Sequence, residues 1–263
     1  MSVNVVIPAR HASVRYPGKP LAQLSLPDGT RQSLVRLTWE AARAIPGVES
    51  VHVATDDTRI RDHCESFGAQ VVMTEPACRN GTERVAEAAR IAGLTSGIIV
   101  NLQGDAPLTP PWFVEALVAA MTADPSIEMA TPVLRCDVTM LGHLMDDRLA
   151  GRVGATTAVF DRFGDALYFS KSLLPYLDRD TAGAAPPVWH HVGVYAYTPA
   201  ALAAYCDWPA GRLEGIEGLE QLRFLENGHK VRCVEVDPRD AQFWELNNLE
   251  DVARIEAVLR ARG

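Results

Sequence analysis

Apolar runs of strand length alternate with segments of helical periodicity over the first half of the chain. The runs lie at 3–7, 51–54, 70–73 and 97–102, and the helical segments at 33–44, 58–67, 82–92 and 111–122. Strands that alternate with helices pair in parallel, and the helices cover both faces of the sheet. The pattern therefore predicts a three-layer α/β fold with a mostly parallel, Rossmann-like sheet.

The pattern changes after a further apolar run at 129–133. Short runs at 158–160, 166–169 and 193–197 are separated by longer and less regular connections. They predict a smaller, partly antiparallel region that covers the first half. The Gly-Ala-Ala-Pro-Pro stretch at 183–187 predicts a mobile loop, and a helical pattern at 249–260 closes the chain.

Composition narrows the class of protein. The 263 residues carry a formal charge of −8 without a basic run, which argues against a nucleic-acid partner, and 48% hydrophobic residues suffice for a core. The chain shows neither a leader pattern nor a run that could span a membrane, so we predict a cytoplasmic protein. Neither zinc nor disulfides are indicated, because no C-x-x-C pair occurs among Cys64, Cys78, Cys136, Cys206 and Cys233.

Three basic residues follow the first predicted strand. Arg10, Arg15 and Lys19 lie in the loop after it, at the sheet edge where ligands of open α/β folds bind. Arginine pairs bidentately with phosphate oxygens and lysine adds a compact charge, so the loop suits a polyphosphate. Charge count alone would favour a solvated surface loop, and the position after the first strand favours the ligand site.

Two further turns carry candidate chemistry. Asp105 follows the strand at 97–102 and suits Mg²⁺, which takes one or two carboxylates together with phosphate oxygens; a simple Gly-Asp turn is the alternative. Asn80-Gly81-Thr82-Glu83-Arg84 resembles a helix N-terminus whose backbone N–H groups could face a ligand. An ordinary helix start would explain the same residues.

The loop also carries a family resemblance. Pro-Ala-Arg-x-Ala-Ser-x-Arg-x-Pro-Gly-Lys-Pro-Leu at 8–21 resembles the signature loop of the sugar-acid cytidylyltransferases, in particular the 3-deoxy-manno-octulosonate (Kdo) enzymes, and implies their nucleotidyltransferase fold. The resemblance implies that Arg10, Arg15 and Lys19 hold the CTP triphosphate and that Asp105 binds Mg²⁺. It also implies a nucleotide pocket formed by Pro8, Ala9, Arg10, Lys19, Asn80, Gly81, Thr82, Arg84 and Gln103.

Three blocks of the second half resemble the same family, at 166–170, 190–197 and 213–223. The resemblance implies an acceptor site made by Lys171, His190, His191, Tyr195, Glu214, Glu217 and Gln221. Without it, 214–223 would be a charged helix with Leu219 and Leu222 facing inward, and His191 a core histidine.

The acceptor half departs from the family pattern at four places. Relatives carry lysine at Thr157, arginine at Lys171 and Arg-His at His190-His191. Their second metal-binding aspartate corresponds to Asn247, whose amide offers an oxygen without a charge. Either the metal binds more weakly, or the acceptor supplies additional negative charge, as a phosphonate acid such as phosphonoformate would.

We therefore expect one cytidylyltransferase domain, with a nucleotide-binding half at 1–133, an acceptor and dimerisation region at 134–240 and a closing helix at 249–260. It would transfer CMP from CTP to a small acidic acceptor, with Kdo as the default, and release pyrophosphate. The alternatives are a phosphonate acceptor, use of UTP, or a CTP-binding relative without catalysis. The resemblance implies a homodimer that binds neither nucleic acid nor membrane.

Overall fold

The first half follows the alternation that its periodicity predicts. A computed structural model describes residues 1–12, 16–151, 155–177, 186–239, 246, 249 and 251–262. The elements of this half are β1 Val3–Pro8, β2 Gln23–Ser25, β3 Arg31–Ser33, α1 Leu34–Arg43, β4 Val48–Thr55, α2 Thr58–Ser66, β5 Gln70–Met73, α3 Gly81–Ile91, β6 Ile98–Leu102, α4 Pro111–Ala123 and β7 Met129–Arg135, with a short 3-10 helix at Lys19–Leu21.

The second half is richer in elements than its sequence pattern predicts. Its elements are α5 Val138–Leu149, β8 Thr157–Phe160, β9 Ala166–Ser170, β10 Trp189–His191, β11 Val194–Tyr197, α6 Pro199–Asp207, α7 Arg212–Glu217, α8 Leu222–Glu226, β12 Arg232–Glu235 and α9 Asp251–Arg262. The predicted loop at 183–187 lies mostly outside the described residues. Within the described part of the chain, no helix is long and apolar enough to cross a bilayer.

Within the described residues, ten strands form one sheet in the order β5-β4-β1-β6-β11-β7-β10-β8-β9, with β12 beside β7. Strand β1 is parallel to β4 and β6, whereas β11 is antiparallel to β6 and β7. The α/β class with a mostly parallel first half is therefore confirmed. The expectation that the second half covers the first is wrong for its strands, because they extend the same sheet.

Alternate side chains of β1 enter two different cores. Val5 and Ile7 pack with Val35 of α1 and Phe113 of α4, whereas Val6 packs with Val85 of α3 on the other face. All of them are fully buried, and each contributes about 1.5–3 kcal/mol relative to exposure. Both faces of β1 are buried, and this explains why its sequence is a continuous apolar run.

The segment at 214–223 is not the single helix that its charge pattern allows. Helix α7 ends at Gly218, which has φ +62°, and α8 begins only at Leu222. A left-handed residue stops the helix because it redirects the backbone carbonyls, and glycine adopts that conformation without Cβ strain. The break changes which acidic side chains share a face.

Strands β1 and β6 end side by side, and this brings their loops together. The backbone of Gly104, after β6, lies so close to β1 that a Cβ there would be 2.7 Å from the Pro8 carbonyl oxygen. The Gly104 carbonyl also accepts a hydrogen bond of 3.2 Å from Thr38 of α1. A glycine is therefore required at this position for the two loops to share one edge.

Candidate active site

A cleft of about 330 Å³ opens at the carboxyl ends of β1 and β6. Most of the residues predicted for the nucleotide half line it, namely Pro8, Ala9, Arg10, Lys19, Asn80, Gly81, Arg84, Gln103 and Asp105. The cleft also includes Pro20, Leu34, Cys78, Arg79, Gly104 and Glu220, which the sequence pattern does not indicate. Arg15 and Asn247 lie outside the described residues. The structure thus brings together three loops that are distant in sequence.

Lys19 and Asp105 form an ion pair inside this cleft. The left-handed Gly18, with φ +71°, precedes Lys19 and opens the short 3-10 helix that carries it. The side chains of Lys19 and Asp105 are only 16% and 22% exposed, so solvent screens their attraction less than that of a surface pair. The predicted phosphate-binding lysine and the predicted metal-binding carboxylate are therefore direct neighbours.

The N-terminus of α3 is satisfied within the protein. Asn80 caps it, with Oδ1 accepting from the Glu83 N–H at 2.8 Å, and the Thr82 N–H donates to Glu220 Oε2 at 2.7 Å. The expectation that free N–H groups face a ligand here is therefore wrong. Thr82 does not line the cleft: it is buried, and its hydroxyl bonds the Tyr197 hydroxyl at 3.1 Å.

Glu220 is the functional candidate that the sequence pattern misses. Burial raises the pKa of its carboxyl group, while hydrogen bonds from the N–H groups of Gly81 and Thr82 oppose that shift. In a continuous helix, both Glu220 and Gln221 would share a face with Glu217, so the pattern would not single out Glu220. In the structure, Glu220 lies between α7 and α8, after the left-handed Gly218, and it lines the cleft. Gly218 is the residue whose type signals this break in the sequence.

Arg84 reaches the cleft with its charge already compensated. Its guanidinium donates to Thr74 Oγ1 at 2.5 Å and to Asp56 Oδ2 at 3.1 Å, and the side chain is 3% exposed. Because its charge is paired, Arg84 attracts an anionic ligand only weakly, and its main effect is to hold the lining of the cleft in place. Arg10 and Lys19 are more accessible in the cleft than Arg84, since the Lys19 side chain is 16% exposed and Arg10 is exposed just after the end of β1.

Several residues predicted for the acceptor site hold the fold together instead of lining this cleft. Glu214 is buried and pairs bidentately with Arg223, at 2.7 and 2.6 Å. Glu217 accepts from Ser170 Oγ at 2.6 Å and from the Lys171 N–H at 3.0 Å, which ties α7 to the end of β9. The Lys171 side chain is exposed.

The two adjacent histidines lie on β10, where His191 is buried and His190 is half-buried. His191 Nε2 lies 3.0 Å from Thr131 Oγ1. Burial lowers the pKa of His191 to about 3, with His190 adding to the shift, and lowers that of His190 to about 4. Both are therefore neutral at pH 7, the state of a core histidine. Thr157, where relatives carry lysine, is buried and donates to the Ser172 carbonyl at 2.7 Å.

Tyr195 and Gln221 form a buried polar pair. The Tyr195 hydroxyl donates to Gln221 Oε1 at 3.3 Å. Gln221 is 2% exposed, and its Nε2 finds no acceptor among the described residues. Buried donors are normally satisfied, so this amide is an exception, and neither Gln221 nor Tyr195 lines the cleft.

Comparison with known proteins decides the family. Residues 4–231 match the sequence model described as cytidylyltransferase. The chain belongs to the cytidylyltransferase family. It is 41% identical over its whole length to the 3-deoxy-manno-octulosonate cytidylyltransferase of Maricaulis maris, covering 99% of that protein. It is 40% identical to the 8-amino-3,8-dideoxy-manno-octulosonate cytidylyltransferase of Shewanella frigidimarina, covering 97% of this chain and 98% of that one.

A solved structure agrees with this assignment. CMP:2-keto-3-deoxy-manno-octonic acid synthetase complexed with CTP superposes with a TM-score of 0.85 and 31% sequence identity, and the match covers all of both chains. The resemblance inferred from the loop at 8–21 is thus confirmed, together with the assignment of this cytidylyltransferase as a nucleotidyltransferase enzyme.

The cleft of this cytidylyltransferase holds two carboxylates, of which Glu220 is engaged with the N–H groups at the start of α3 and Asp105 lies beside the phosphate-binding loop. Among the described residues, no group of three His, Cys, Asp or Glu side chains could hold a metal ion. Asp105 alone fits Mg²⁺, because this ion completes its octahedron with phosphate oxygens and water. The N–H of Leu246, the residue before Asn247, donates to the Asp105 carbonyl at 2.9 Å.

Proposed function

We propose that this cytidylyltransferase transfers CMP from CTP to 3-deoxy-manno-octulosonate, or to an 8-amino sugar acid of the same class, and releases pyrophosphate with Mg²⁺ as cofactor. The observation that carries the proposal is the Lys19–Asp105 ion pair in a cleft that also contains Arg10. Relatives at 41% and 40% identity named for these two sugar acids support the choice of acceptor.

The charges of the cleft orient the nucleotide. Arg10 and Lys19 come from the loop after β1, whereas Glu220 places a carboxylate on the N-terminus of α3. A triphosphate is attracted to the cations and repelled by the carboxylate. The phosphates therefore lie against the β1 loop, and the cytidine lies against Asn80 and Gly81.

In the reaction, the acceptor hydroxyl oxygen forms a bond to the α-phosphorus of CTP while the bond to the β-phosphate oxygen breaks. Negative charge grows on the departing pyrophosphate, and Arg10 and Lys19 are placed to stabilise it. Mg²⁺ held by Asp105 would add positive charge and lower the pKa of the acceptor hydroxyl. The protein contributes mainly by positioning the two substrates and by its fixed charges.

The acceptor binds to the side of the cleft that Glu220 forms. Glu220 offers a carboxylate to the cleft, and a carboxylate accepts hydrogen bonds from the hydroxyl groups of a sugar. The next residue, Gln221, is buried with Tyr195 and does not line the cleft itself. Thr157 is fully engaged inside the fold, so its position supplies no charge to the acceptor in place of the relatives' lysine.

Pyrophosphate release with CTP and Mg²⁺ tests the proposal on a panel of acceptors: Kdo, its 8-amino analogue, a nonulosonic acid and phosphonoformate. We expect turnover with Kdo or the 8-amino analogue, and turnover slower on the order of 1,000-fold when Asp105→Asn replaces the wild type. Asp28→Asn, in the exposed β2–β3 turn, is the matched control and should be as active as the wild type. Turnover with phosphonoformate alone would contradict the proposed acceptor.

The homodimer formed through the second region and the cytoplasmic location stay predictions. Sedimentation equilibrium of the purified protein measures the first. A mass of twice 28.6 kDa at micromolar concentration is the expected result.

A further inference from the structure

Arg223 is an almost completely buried arginine that lies behind the cleft wall. Its side chain is 1% exposed, and it is not among the residues that line the cleft. The guanidinium donates to both carboxylate oxygens of Glu214, at 2.7 and 2.6 Å, and to Glu83 Oε1 at 3.1 Å. Its Cζ lies 4.0 Å from the ring centroid of Tyr205. A charge buried this deeply needs all of these partners to offset its desolvation.

The partners of Arg223 hold the residues that face the cleft. Glu83 accepts from the backbone N–H and the side-chain Nε of Arg79, both at 2.8 Å. The Tyr205 hydroxyl accepts from Asn80 Nδ2 at 2.8 Å. Arg79 and Asn80 both line the cleft, so each is separated from Arg223 by a single side chain.

The same arginine links this wall to the segment that carries the acceptor candidates. Arg223 lies in α8, two residues after Gln221, and Glu220 bonds the Thr82 N–H of α3 from the same stretch. Helix α3 is therefore attached to this stretch at two points, Glu220–Thr82 and Arg223–Glu83. A shift of either link moves the nucleotide wall relative to the acceptor side.

We propose that Arg223 is a positioning residue that sets the nucleotide wall of the cleft through Glu83 and Tyr205. Without its guanidinium, the carboxylates of Glu83 and Glu214 would be buried close together without their shared cation, and the wall would rearrange. Lysine does not replace it, because one ammonium group cannot bridge Glu214 bidentately and reach Glu83 at the same time. The inference rests on the proposed function only in taking CTP as the ligand.

Binding by Arg223→Lys tests this role through two ligands that use different parts of the cleft. We expect the Kd for CTP, measured by calorimetry well below the melting temperature, to rise about tenfold. The inhibition constant for pyrophosphate should change less than twofold, because Arg10 and Lys19 bind phosphate without the α3 wall. Arg232→Lys is the matched control: its arginine also pairs with a carboxylate, that of Asp165, but lies outside this cleft. It should lower stability without changing the Kd for CTP.

Tyr205→Phe provides a second variant if Arg223→Lys does not fold. It removes only the hydroxyl that Asn80 and Glu214 share, and we expect about a threefold weaker Kd for CTP. An unchanged Kd for CTP in the folded variants, or an equal loss of CTP and pyrophosphate binding, would overturn the role of Arg223. A wild type that does not bind CTP would overturn the proposed function and this inference together.

Discussion

Lys19 Nζ and Asp105 Oδ2 are in direct contact across the cleft, although 86 residues separate them in the sequence. One belongs to the loop after β1 and the other to the loop after β6. Each compensates the charge of the other in the protein without ligand. When CTP and Mg²⁺ bind, a phosphate is a stronger partner for the lysine, and the cation is a stronger partner for the carboxylate. The pair therefore keeps both groups in place for their later partners.

Replacing Lys19 by methionine should lower kcat/KM for CTP on the order of 100-fold, because a fixed cation beside the leaving phosphates is lost. Steady-state pyrophosphate release measures this. Lys230→Met serves as the control, since that lysine is 79% exposed and pairs with Asp165 outside this cleft. A loss of less than threefold in Lys19→Met would show that the lysine does not act on the phosphates.

Replacing Asp105 by asparagine should separate binding from turnover. Without a carboxylate to hold Mg²⁺, kcat should fall on the order of 1,000-fold. Calorimetry in EDTA should show CTP binding at least as tight as in the wild type, because a negative charge near the phosphates is removed. Equal losses of CTP binding and turnover would instead mean that Asp105 contacts the nucleotide itself.

The two histidines of β10 predict a loss of stability in mild acid. Their folded pKa values, about 3 for His191 and about 4 for His190, lie below the usual 6.5. Between pH 6.5 and 4 the unfolded chain therefore binds more protons than the folded one, and stability falls as the pH falls. Each histidine contributes a slope of up to about 1.4 kcal/mol per pH unit in the free energy of unfolding.

Urea unfolding between pH 7 and 5 measures that slope. His191→Asn should reduce it by up to one proton toward pH 5. An equal pH dependence of the free energy of unfolding in wild type and His191→Asn would mean that His191 is not held in its neutral form in the folded protein.

Two glycines with positive φ offer a matched test of the helix break. Gly218→Ala and Gly228→Ala each place a side chain in the left-handed region, at φ +62° and +76°, and each should cost about 1 kcal/mol of stability. Only Gly218→Ala should also raise the KM for the acceptor, because Gly218 lies two residues before Glu220 and its added Cβ would be 3.0 Å from Lys171 Nζ, whereas a Cβ at Gly228 meets nothing within 4 Å. Thermal melts and acceptor titrations measure both effects. Equal acceptor KM values in the two variants would contradict this role of Gly218.

Sequence patterns reveal the parallel half of the fold and most of the nucleotide cleft because their signals are local. The burial of β1 shows as an apolar run, and the loop after it holds Arg10 and Lys19. Glu220 is not predictable in this way, because its position depends on the conformation of Gly218 and on a contact with Thr82, 138 residues away. The structural role of Glu214 is also invisible in the sequence, because it depends on pairing with Arg223 in the folded chain. The family blocks alone do not distinguish this role from acceptor binding.

The most direct test of the central claim is a phosphorus NMR spectrum of wild-type protein with CTP, Mg²⁺ and Kdo. A phosphodiester resonance of a CMP–sugar acid should appear together with an equal amount of pyrophosphate, while the three CTP resonances decline. A spectrum in which CTP persists with Kdo and with the 8-amino analogue, although calorimetry shows that CTP binds, would contradict catalysis of CMP transfer to these sugar acids.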